Sequence, residues 1–337
     1  MKRLTNNISL YIQVTALVCI VMFTGISCKA QTAHPSLLAL SKKDHTLAIV
    51  DPATLKVIAK IPVGEDPHEV IASSDGKTAY VSIYGGGSLH TINVINLTTQ
   101  KRLDDIDTRP LFGPHGLVFA NNKLWFTAEG SKAIGCYDPS ISKIEWSMGT
   151  GQDRTHMIYV TNDAKKIYTT NVASGTVSML QDSLIQTREN WVQTIIPVSK
   201  GAEGFDVSPD GAELWTASAQ DGKIYIIDLT TKKLSAAIGA GVNGANRLQF
   251  TPDGKLAFIS SLGAGNLTVY DVKARKLVKQ INIGHGAAGI LIQPDGLRAY
   301  VACTPDNYIV VIDIKSLEVI NKIDAGGNPD GLAWAVE

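Results

Sequence analysis

The chain reads as an all-β, seven-bladed β-propeller of four-stranded antiparallel blades, and three observations predict it. A unit of strand, tight turn and three further strands recurs along the sequence. Its plainest copy is Pro67-His68-Glu69-Val70, Ser74-Asp75-Gly76-Lys77, Tyr80-Val81-Ser82 and Asn93-Val94-Ile95-Asn96-Leu97. The two ends of the chain hold complementary fragments of one more unit. The period also fits, because residues 28 to 337 shared among seven units give about 44 each, inside the ~40–45 of four-stranded blades. A repeat this long cannot bury its own apolar face, so the copies stack around an axis.

The innermost strands are Glu69-Val70-Ile71-Ala72, Gly116-Leu117-Val118-Phe119, Met157-Ile158-Tyr159-Val160, Gly204-Phe205-Asp206-Val207, Arg247-Leu248-Gln249-Phe250, Gly289-Ile290-Leu291-Ile292 and Gly331-Leu332-Ala333-Trp334. Turns such as Ser208-Pro209-Asp210-Gly211 and Thr251-Pro252-Asp253-Gly254 follow them. Proline fixes φ and glycine accepts positive φ, so these are hairpins and not helix starts. Second strands such as Leu124-Trp125-Phe126-Thr127 and Ala299-Tyr300-Val301-Ala302 carry the aromatic and β-branched density that favours sheet. Third strands end in Asp51, Asn96, Asp138, Asp228, Asp271 and Asp313, which suit the backbone of a following turn. Leu37 to Ile61 supplies second, third and fourth strands and Pro329 to Val336 only a first. Joined, they make a seventh blade from N-terminal strands paired with the C-terminal one, which removes exposed sheet edges.

Ahead of the repeats, Lys2 and Arg3 precede an apolar run from Ile8 to Ile26, the pattern of a secretory signal. It ends in Gly25-Ile26-Ser27-Cys28, which resembles a bacterial lipobox. The resemblance implies a signal peptide over 1–27, a lipidated Cys28 opening a tether over 28–35, and a propeller over 36–337. The expected location is the bacterial cell envelope, lipid-anchored, on the periplasmic side or the cell surface. Lys and Arg number 31 against 31 Asp and Glu, a balance that gives no bulk charge for nucleic acid. Cys136 and Cys303 fall in separated repeats and read as buried apolar residues, not as a disulfide.

Tyr80-Val81-Ser82, Tyr300-Val301-Ala302 and Tyr168-Thr169-Thr170-Asn171, each behind a turn, resemble the YVTN β-propeller repeat family. The resemblance implies a disc with a central channel, innermost strands lining it, and ligands entering where those strands begin. Propellers host many activities, so it is specific for fold and weak for function.

The residue just before each innermost segment defines one ring: His68, His115, His156, Glu203, Asn246, Ala288 and Asp330. Three successive histidines, His68, His115 and His156, are a candidate first shell for a divalent metal. Glu203 is the candidate fourth ligand or catalytic base. Arg154, Asn246, Arg247 and Asp330 are candidate ligand-binding residues, the arginines suited to a carboxylate or phosphate. The competing expectation is that these histidines hydrogen-bond between blades and seal the channel. His285 is a possible filler of the gap at Ala288; His34, His45 and His90 read as surface. The favoured function is an envelope-anchored, monomeric propeller binding a divalent metal or small anionic ligand at the channel mouth, with an envelope protein at the rim. The alternative is a metal-dependent lactone hydrolase or C–O lyase, by resemblance to propeller lactonases and streptogramin lyases.

Overall fold

Seven antiparallel sheets form in the computed structural model, which describes residues 35–185, 188–239, 241–242 and 244–336. The expected signal peptide, Cys28 and His34 lie outside the described residues. Blades 1 to 6 open with innermost strands Pro67–Ala72, Pro114–Ala120, Thr155–Val160, Ala202–Val207, Ala245–Phe250 and Ala287–Ile292. Blade 7 pairs Pro329–Ala335 with Ser36–Ser41, followed by Thr46–Asp51 and Lys56–Pro62, so both ends of the propeller share one sheet. Each innermost strand packs on the next and the last returns to the first, which closes the ring.

The core lies between blades. Leu38, Leu40 and Ile49 of blade 7 pack on Val70, Val81 and Ile95 of blade 1, and comparable clusters join other neighbouring blades. A fully buried Leu or Ile contributes about 1.5–3 kcal/mol, so closure is driven mainly by these apolar faces. Third-strand acids serve their turns as the sequence predicts: Asp51 accepts from Ala53 N–H at 2.8 Å and Asp138 from Ser140 N–H at 2.8 Å. Cys136 and Cys303 are free and buried, and burial pushes both thiols up to about 12.

Two blades depart from the expected pattern. The outer strand of blade 1 is split into Lys101–Arg102 and Ile106–Asp107, because Asp105 is drawn aside by Arg102 and by the buried Asn93 amide. In blade 3 the third and fourth strands form a longer hairpin, Thr176–Ile185 with Arg188–Pro197. The Trp191 ring packs at a tilt against Trp146, centroids 5.1 Å apart, and Trp146 against Trp125 at 5.5 Å, tying the hairpin to blade 2.

One irregularity recurs in all seven blades. Between the first and second strands, two residues oppose one: His68-Glu69, His115-Gly116, His156-Met157, Glu203-Gly204, Asn246-Arg247, Ala288-Gly289 and Asp330-Gly331. Such bulges bend a strand and re-aim its side chains, and here they fall on the ring read from the sequence. Hydroxyls opposite the bulges fix them to the next blade. Thr127 Oγ1 donates to His156 O at 2.6 Å and Ser260 Oγ to Ala288 O at 2.7 Å. Glycine is required at the second bulge position where blades touch closely. A Cβ on Gly204 would lie 2.4 Å from Asn246 O, and one on Gly289 2.2 Å from Asp330 O.

Candidate functional site

At the channel mouth the bulged residues meet. The His68 and His115 rings lie 4.9 Å apart and those of His115 and His156 3.8 Å. The expected three-histidine set nevertheless divides. His68 Nε2 receives the Lys42 ammonium at 2.7 Å, while its Nδ1 is 3.2 Å from Asp66 O and 3.3 Å from Asp66 Oδ1. His68 thus faces an ammonium cation, whereas both nitrogens of His156 face carboxylates. His115 and His156 instead converge with Glu129, their donor atoms lying within 4.8 Å of one another.

Glu129 opens the short 3-10 turn Glu129–Ser131 after the second strand of blade 2, where its N–H donates to Gly113 O at 2.8 Å. Its Oε2 is 2.8 Å from His156 Nδ1, and Arg154 Nε donates to its Oε1 at 2.7 Å. All three clustered residues are buried, with exposures of 1% for His115, 3% for His156 and 7% for Glu129. Among the described residues, His115 Nδ1 has no hydrogen-bond partner. Burial, reinforced by His156, holds the His115 imidazole well below its ordinary value and therefore neutral. Burial also pulls His156 down, but hydrogen bonds to Glu129 and Glu203 outweigh it and raise this imidazole. Burial of Glu129 is likewise overcome, chiefly by His156, and its carboxyl falls to about 2.

The other sequence candidates are engaged within the protein. Glu203 Oε1 lies 3.1 Å from His156 Nε2 and accepts from Asn246 Nδ2 at 2.8 Å and Arg247 Nη1 at 3.1 Å. These contacts, with His156 first, overcome burial and hold Glu203 far below the carboxylate range, a poor setting for a proton acceptor. Arg247 also pairs with Glu69, so blades 1, 4 and 5 are linked across the channel. Asp330 pairs with Lys42 at 3.3 Å. His285 does not fill the gap at Ala288: its side chain is 82% exposed and pairs with Asp306 at 3.1 Å. His45 is exposed, whereas His90 is half-buried and bonded to Asp107 at 3.1 Å.

Sequence reasoning missed Lys42, Tyr84 and Glu129. They hold one repeat position, two residues beyond the second-strand residue that faces each bulge, namely Leu40, Ser82 and Thr127. The Tyr84 ring lies edge-on to His68 at 4.7 Å and His115 at 5.0 Å, and its hydroxyl interacts with Glu129. Aligning second-strand exits as well as innermost-strand starts would have found this second tier.

Beyond the bulge of blade 4, Asp206 Oδ2 accepts from Phe250 N–H of blade 5 at 2.9 Å and Oδ1 from Val207 N–H at 2.8 Å. Burial dominates those bonds and raises its carboxyl from 3.8 to about 7. A folded-state value above the unfolded one makes this group's contribution full below about pH 4 and lost as pH rises through 7. The melting temperature of Asp206→Asn relative to the parent should therefore rise as pH goes from 4 to 8, whatever constant offset the loss of one acceptor oxygen adds. The span is up to about 4 kcal/mol, less whatever channel water screens. Thermal melts across that range would show it, and a pH-independent gap would contradict the assignment.

Comparison with known proteins agrees with this architecture. A model of the YNCE-like β-propeller family matches residues 136–298, just under half of the chain. A Bacteroides uniformis protein provisionally named a 6-phosphogluconolactonase superposes with a TM-score of 0.73 at 13% identity, covering 89% of this chain and 99% of that one. A Bacteroides fragilis protein with the same provisional name gives 0.72 at 13% identity, covering 91% and 99%. A functionally unknown protein from Desulfotomaculum acetoxidans gives 0.71 at 13% identity, covering 87% and 98%. No curated protein matches in sequence. The chain is a seven-bladed β-propeller with lactonase-like structural neighbours, and at these identities the likeness is one of fold.

Proposed function

We propose that this propeller holds one divalent transition-metal ion at its channel mouth through His115, Glu129 and His156, as the centre of a small-ligand site. We further propose that a lipid on Cys28 tethers it to the bacterial cell envelope. The observation that carries the metal reading is the buried His115 Nδ1, unpartnered among the described residues, on the histidine that converges with Glu129 and His156. A buried polar atom left unpaired costs about 1–3 kcal/mol, and an ion would supply the partner. Charge supports the same reading. Among the described residues, Asp66, Glu69, Glu129, Glu203 and Asp330 face Lys42, Arg154 and Arg247 as permanent cations, a deficit equal to one divalent ion. Without an ion, the raised His156 imidazole between Glu129 and Glu203 offsets part of it. Imidazole and carboxylate donors suit zinc, iron, nickel or manganese better than calcium.

Metal content of soluble protein beginning at Lys29, measured by mass spectrometry, tests this. About one equivalent is expected in the parent and none in a folded His115→Ala/His156→Ala variant. Absence from both after reloading would leave the histidines as a structural seal.

One observation favours a second reading, the metal-dependent lactone hydrolase or C–O lyase. Two histidines and a glutamate are the donor set of some catalytic zinc sites, which keep a position open for water or substrate. The strongly depressed Glu203 carboxyl argues against its acting as the base in such chemistry. With metal supplied, failure to open any of a panel of lactones and cyclic depsipeptides would count against the enzyme.

A further inference from the structure

An ion at His115, Glu129 and His156 would balance the mouth as a whole but not evenly. On the Lys42 side, Asp66 and Asp330 leave one negative charge. On the other side, Glu69, Glu129 and Glu203 face Arg154, Arg247 and the ion, which leaves one positive charge. Arg247 cannot present that charge to a ligand, because its two terminal nitrogens are committed to Glu203 and Glu69.

Arg154 can. Only its Nε is used, donating to Glu129 Oε1 at 2.7 Å, and its terminal nitrogens make no hydrogen bond among the described residues. The side chain is 47% exposed. Its backbone is fixed in the left-handed region at φ 53°, where Val172 N–H donates to Arg154 O at 2.9 Å. Glu129 joins the two features, with one oxygen on the guanidinium and the other facing His156. The open guanidinium edge therefore lies beside the metal donors, and three protein donors leave at least one coordination position free.

Resting on the ion site proposed above, we infer that the ligand presents an oxyanion, a carboxylate or a phosphate. One of its oxygens takes the free metal position and another meets the terminal nitrogens of Arg154. A planar guanidinium with two adjacent donors is the side chain best matched to such a group. Neighbouring Lys132 does not compete for this role, since it pairs with Asp153.

The test is the visible absorption of the Co2+-loaded protein, titrated in one arm with malonate and in another with inorganic phosphate. A saturable change in the Co2+ bands is expected from at least one anion, and the arm that responds names the class. Arg154→Gln keeps all three metal donors and, at saturating Co2+, should still take up one equivalent, while its affinity for that anion falls roughly tenfold or more. No response to either anion, or an unchanged affinity in Arg154→Gln, overturns the inference and leaves the ion site standing. A parent that binds no Co2+ overturns both.

Discussion

Glu129→Gln is expected to weaken divalent-metal binding by at least about 100-fold, since even outer-shell partners of a metal site commonly contribute 10–100-fold. The amide retains the shape of the side chain but loses the charge that faces both His156 Nδ1 and Arg154 Nε. His68→Ala supplies the contrast. A three-histidine site would lose its ion with that change, whereas here His68 is occupied by Lys42 and Asp66, so affinity should stay within about threefold. Isothermal titration with Zn2+ or Co2+ on the parent and both variants separates the two arrangements. Strong loss in His68→Ala with retention in Glu129→Gln would reverse the assignment.

Gly331→Ala is expected to destabilise the propeller strongly at its point of closure. Gly331 occupies the second bulge position of blade 7, where the ring closes onto blade 1, and a Cβ there would lie 2.4 Å from His68 O and 3.0 Å from Glu69 Cα. Both are backbone atoms and cannot rotate away. Overpacking commonly costs about 1–3 kcal/mol, and a clash with the backbone of the closing blade belongs at or above the top of that range. Gly149→Ala is the control. That site has open space within 4 Å and an unstrained φ, so the change should be neutral or slightly stabilising. Urea unfolding of both variants decides it, and equal midpoints would contradict close inter-blade contact at the bulge.

The fold was legible because its signals are local and repeated. Turns such as Thr251-Pro252-Asp253-Gly254 mark each hairpin independently of the rest, and the fragments at Leu37 and Pro329 can be matched by eye. The ring was legible for a related reason: His68, His115, His156 and Glu203 hold one repeat position, and a repeated bulge carries that position to one level. Which ring members cooperate was not legible. His68 and His156 look alike in sequence, but one meets Lys42 and the other meets Glu129, and both partners come from loops beyond the second strands. The Arg247–Glu69 pair was hidden similarly, because it joins residues 178 positions apart across the channel. The split outer strand of blade 1 depends on the Asn93 amide reaching Asp105, a side-chain contact that periodicity does not encode.

The most direct measurement is anomalous diffraction from crystals of the protein loaded with Zn2+ or Co2+, recorded on both sides of the metal absorption edge. The account predicts one strong peak bonded to His115, Glu129 and His156, at about 2.0–2.2 Å for zinc, with Lys42 still seated on His68. A peak ligated by His68, or a fully loaded crystal with no peak at the mouth, would contradict it.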